Sequence, residues 1–128
     1  MKITAQQALD LAIAFREAAK SVGDYLYGQW NDLPKADRER LRSMDVTLMN
    51  VSTDLVTHAV GISLDEGQVS IDALTETTAE ANGAIQKMDE VKKMIGVAAA
   101  LIGLAAALPT GSMQSIASAF QTLQKAVA

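Results

Sequence analysis

The chain has 128 residues, of which 49% are hydrophobic and only 4% aromatic, with a formal net charge of −4 and no cysteine. That length suits one domain with a real core, the lack of cysteine excludes disulfides, thiolate metal sites and thiol nucleophiles, and the acidic balance lacks the basic footprint of a nucleic-acid-binding protein. With so few aromatics, aliphatic side chains and alanine must fill the core, which suits close helix packing and predicts an all-α fold.

The opening Met1-Lys2-Ile3-Thr4-Ala5-Gln6-Gln7 is polar and carries no apolar signal core, so the expected location is cytoplasmic, or outside after export without a classical signal peptide. Thr4-Ala5-Gln6-Gln7 reads as a capping box. Ala8, Leu11, Phe15, Ala18, Val22 and Tyr25 then recur at spacings of three and four, while Asp10, Glu17, Lys20 and Asp24 fall off that stripe. This predicts a helix from Thr4 to Trp30, ended by Asn31-Asp32-Leu33-Pro34, since proline disfavours a helical residue before it.

Pro34 fits the first turn of a second helix. Leu41, Met44, Leu48, Val51, Leu55, Ala59 and Ile62 keep the same alternation, and Met49, Val56 and Val60 widen the apolar arc. So wide an arc implies more than one neighbour. The predicted end is Leu64, before Asp65-Glu66-Gly67. The third helix starts at Ser70 and carries Ile71, Leu74, Thr78, Ala81, Ile85 and Met88 on its stripe.

Past Lys92-Lys93 the chemistry changes: no charged residue occurs from Met94 to Gln124, and Met94 to Leu108 is apolar on every face. If the third helix ran unbroken from Ser70 to Leu108 it would reach about 58 Å, against roughly 40–45 Å for the first two, so it must bend or project. Pro109-Thr110-Gly111 breaks it, Ser112 is a fitting N-cap, and Met113, Ile116, Phe120, Leu123 and Val127 form a fourth stripe. The expectation is an antiparallel bundle of three long helices plus a shorter C-terminal helix, forming one domain over residues 1–128. Residues 1–93 make its amphipathic part, and residues 94–128 an apolar hairpin of the end of helix 3 with helix 4.

Few residues suggest chemistry. Asp54 and His58 stand at i and i+4 on one helix face, but no hydroxyl nucleophile joins them there, and one histidine with one carboxylate is too small a metal site. Asp72, Glu76 and Glu80 line one face and suit either solvent or a basic partner, while Lys35, Arg38 and Arg42 form the one basic face. Trp30, near Tyr25 and Tyr27, either plugs the end of the bundle or anchors a partner. No catalytic residue, metal ligand or cofactor is therefore expected.

The informative feature is the hairpin. Its run of fifteen residues spans about 22 Å as helix, short of the roughly 30 Å hydrocarbon core. Ala99, Gly103 and Ala107 make a small row at i, i+4 and i+8, with Gly96 beside it. Such rows let two helix backbones approach closely. Interior glycine costs a helix roughly 1 kcal/mol against alanine, so two of them imply a return. The expected interaction residues are Gly96, Ala99, Ile102, Gly103, Ala107, Met113, Ile116, Phe120 and Trp30. The expected function is binding without catalysis, as a self-associating or adaptor-like protein. Its partner would be a second copy or another helical protein. In outline, an apolar helical hairpin on a soluble bundle also resembles α-helical pore-forming toxins and secretion translocators. That resemblance implies the alternative of hairpin insertion into a membrane.

Overall fold

The computed structural model describes residues 2–58, 64–65 and 67–128, except for the side chains of Val56 and His58. The expectations for Val56, Ala59, Val60, Ile62 and Glu66, for the His58 side chain and for the end of the second helix lie outside the described residues.

The fold is all-helical, with five α-helices and no strand among the described residues. They are α1 (Ala5–Gly28), α2 (Lys35–His58), α3 (Ile71–Gln86), α4 (Val91–Ala107) and α5 (Met113–Val127). Short 3-10 turns occupy Trp30–Asp32 and Leu108–Thr110.

The helix starts follow from local hydrogen bonding. Thr4 Oγ1 accepts from the Gln7 backbone N–H at 3.1 Å, and the Thr4 N–H donates to Gln7 Oε1 at 2.8 Å, completing the capping box. Ser70 Oγ accepts from the Ala73 N–H at 3.0 Å, and Ser112 Oγ accepts from the Ser115 N–H at 3.2 Å. Each satisfies a donor the first turn would otherwise orphan. Between α4 and α5 the chain turns on Gly111, whose φ of 70° is in the left-handed region that favours glycine. Thr110 Oγ1 ties this turn together, donating to the Ala107 carbonyl and accepting from the Ser112 N–H.

One expectation is corrected. The third helix does not run to Leu108: it ends at Gln86, and α4 begins at Val91. Lys87 and Met88 close α3 by donating to carbonyls of its last turn, and Glu90 is extended, with φ −115° and ψ 123°. The hydrophobic stripe continues through Met88, which is half-buried, so periodicity hides the break. The physical reason is length. Helices of 24 residues, as α1 and α2 are, span about 36 Å. A 58 Å helix would leave its apolar second half without neighbours. The break instead lets α4 pack on α5 and on α2. It also places Asp89 and Glu90 before the N-terminus of α4, where the helix dipole favours negative charge.

The core is aliphatic, as the composition requires. Leu11, Phe15, Val22 and Leu26 of α1 are fully buried together with Leu41 and Leu48 of α2, Leu74 of α3, Leu101 and Leu104 of α4, and Leu123 of α5. α1 packs against α2 and α3, and α3 also touches α5. A side-chain bridge joins α1 to α3, with the Ser21 hydroxyl donating to Asn82 Oδ1. Gly23 serves a close approach of α1 to α2: a Cβ there would lie 3.3 Å from Asp45 Oδ2.

Candidate functional site

α4 resolves the puzzle of a helix apolar on all faces. Its large side chains, Met94, Val97, Leu101 and Leu104, turn inward and are buried. Beyond the exposed Lys92 and Lys93 of its first turn, what it leaves exposed is small: Gly96, Ala99, Gly103 and Ala106. A Gly/Ala face presents backbone and methyl groups, so its exposure costs far less than exposure of leucines would.

This outer face runs into α5. Gly96, Ala99 and Gly103 of α4, with Ala119, Thr122 and Ala126 of α5, line an open apolar groove of about 280 Å³. Among the described residues a Cβ on Gly96 or Gly103 would meet nothing within 4 Å. The expected return for two helix-interior glycines is therefore not a close approach to any described part of the chain. The other expected interaction residues divide. Ile116 and Phe120 are buried in the core, and Ala107 is also buried. Ile102 and Met113 are half-buried against the core, and Met113 Sδ accepts the Asp65 N–H at 3.3 Å. Only Gly96, Ala99 and Gly103 of the set thus share one open groove.

Trp30 is half-buried rather than a full plug. Tyr27 stacks on it at 5.7 Å between ring centroids, and the Arg38 guanidinium lies 5.0 Å from its ring centre, a cation–π distance. Arg38 is thereby engaged, which leaves exposed Lys35 and Arg42 of the basic face.

A second apolar surface was not expected. Leu9 and Ile13 of α1 are 41% and 47% exposed, and Met49 of α2 is 39% exposed. They line a groove of about 340 Å³ between α1 and α2, with Arg16 and Thr53. The Met49 row did widen the apolar arc of α2 in sequence, and that was the available signal. Leu9 and Ile13 lie beside the α1 stripe and gave none.

The third opening lies between α3 and α5. Glu76, Thr77 and Glu80 face Phe120, Gln124 and Val127 across a cleft of about 460 Å³.

Elsewhere the polar chemistry is sparse. Asp45 has its pKa raised by partial burial, with the nearby Asp24 charge adding to it. Tyr25 is raised by burial, then by Asp89 and Asp37. Among the described residues no three His, Cys, Asp or Glu side chains gather as metal ligands.

Val91–Thr110 is, among the described residues, the one stretch long and apolar enough to cross a membrane by length and composition, with mean hydropathy 1.8. At 20 residues it is longer than the fifteen-residue run from Met94 to Leu108. However, 56% of that window is buried inside the fold, as in the core helix of a soluble protein. Comparison with known proteins finds no matching family model, no similar curated protein and no similar solved structure.

Proposed function

We propose that this chain works by binding rather than catalysis, and that it self-associates through the groove between α4 and α5, with consecutive helices running antiparallel in each copy. One observation carries the reading: Gly96 and Gly103 each weaken α4, yet among the described residues nothing would lie within 4 Å of a Cβ at either. A helix from a second copy laid along Gly96, Ala99 and Gly103 supplies the missing approach. Close contact of small residues allows many weak dispersion contacts without ordering long side chains. The groove holds no charge, so a twofold pairing would bring no like charges together there.

The adaptor-like reading rests on the α1–α2 groove, where Leu9, Ile13 and Met49 offer a different protein larger apolar anchors. The insertion reading asks more of the molecule, because Leu101 and Leu104 would have to leave a formed core to face lipid.

Light scattering over a range of concentrations separates the first two. Gly103→Leu should abolish association and Ile13→Asp should leave it intact. The reverse pattern would move the interface to the α1–α2 groove, and a wild-type monomer at every concentration would refute self-association. Leakage of anionic vesicles by the wild type, lost in Gly103→Asp, is the result that would favour insertion.

A further inference from the structure

The α3–α5 cleft combines features the self-association reading does not use. Glu76 and Glu80 stand one helical turn apart on its wall, where like charges at i and i+4 repel. Among the described residues no base pairs with them, the one ion pair there joining Lys93 to Glu90. Phe120 and Val127 give the opposite wall an apolar character.

Between the two carboxylates sits Thr77, which is 7% exposed. Its hydroxyl has no hydrogen-bond partner among the described residues, which is unusual for a group so buried. The contrast with its neighbours is informative. Thr47, Thr53, Thr57, Thr75, Thr78 and Thr122 all donate back to the carbonyl four residues earlier in their helices. Thr77, on the same helix as Thr75 and Thr78, makes no such bond. Thr77 lines the cleft beside Glu76 and Glu80, neither of which has an ion-pair partner among the described residues.

We infer that this cleft is a binding site for a primary alkylammonium group, the chemistry found at the tip of a lysine side chain. The ammonium carries three donors and no acceptor. Glu76, Glu80 and Thr77 supply three acceptors on one face, while Phe120 and Val127 cover the aliphatic stem. The site is independent of the α4–α5 groove, because the cleft and the groove use different residues of α5.

The test is a titration of the whole chain with n-butylammonium chloride at constant ionic strength, with sodium chloride as the reference, followed by backbone and methyl NMR shifts. Saturable shifts confined to α3 and α5 are expected. Glu76→Gln with Glu80→Gln should weaken binding by at least roughly tenfold, and Thr77→Val by about threefold, in line with charged and neutral hydrogen bonds respectively. Circular dichroism should be unchanged in both. Nα-acetyl-lysine amide, run in parallel, separates sources: binding as tight as butylammonium assigns the site to a lysine within a polypeptide, and exclusion assigns it to a free amine. Shifts no larger than those from sodium, or full affinity retained in the double glutamine variant, would overturn the inference. A Thr77→Val protein that gains thermal stability and binds unchanged would remove the hydroxyl from the site.

Discussion

The two long sides of α4 carry residues of very different size. Inward, Leu101 and Leu104 have no exposure and join the core made by α1, α2 and α5. Outward, Gly96, Ala99 and Gly103 stand open, with none of the described residues against the glycines. From Met94 onward both sides are uncharged, so hydropathy alone treats them as equivalent there. They separate by side-chain volume: the large residues fill the core, and the small ones leave a smooth channel. An apolar helix can thus be a core element and a docking surface at once, when the two roles fall to residues of different size.

The largest effect that can break this comparison is at Leu104. Leu104→Ala should destabilise the fold by about 2–5 kcal/mol, from lost transfer energy plus a residual cavity. Denaturant unfolding measures it, and a cost near zero would mean that the inner side is not close-packed. Its sequence neighbour should respond with the opposite sign. Gly103→Ala should stabilise the monomer by about 1 kcal/mol, because alanine is the better helix former and the added methyl meets nothing. Gly83→Ala on α3, also unobstructed, is the control that should gain similarly without altering association.

Smaller effects sharpen the picture elsewhere. Ser70→Ala should cost about 1 kcal/mol by removing the cap on α3, read as a lower denaturation midpoint at unchanged slope. The subtlest concerns Asp45. Its pKa in the fold is raised above the ordinary 3.8, first by burial and then by Asp24. The folded state therefore holds the proton more tightly than the unfolded chain. The penalty for ionised Asp45 is fully present above the folded pKa. It is relieved as pH falls toward 3.8, so this group makes the protein relatively more stable in that acidic window. Asp45→Asn should raise stability at neutral pH by less than about 0.5 kcal/mol, given its partial exposure. It should also flatten the pH dependence of the melting temperature.

What was legible in the sequence was local. Thr4 and Ser112 could be read as caps, and Ser70 as a helix start, because a hydroxyl bonding two or three residues along depends on nothing distant. Gly111 could be read as a turn for the same reason. The break at Lys87–Glu90 was not legible from periodicity, since Met88 keeps the stripe alive through a non-helical stretch. Asp89 and Glu90 just ahead of an apolar run were the signal to weigh instead. The open faces were hidden for another reason. Whether Ile13 or Gly103 is covered depends on which helices meet, and spacing along one helix does not say. Thr77 is the extreme case, because only its missing hydrogen bond sets it apart from Thr75 and Thr78.

Sedimentation equilibrium on the wild type and Gly103→Leu, at matched concentrations and with melting temperatures recorded, tests the central claim most directly. The account predicts a wild-type mass rising with concentration above the monomer's 13.5 kDa. It predicts that Gly103→Leu stays at the monomer mass while melting no lower than the wild type. A wild type that remains monomeric throughout, or a variant that associates as strongly as the wild type, would contradict it.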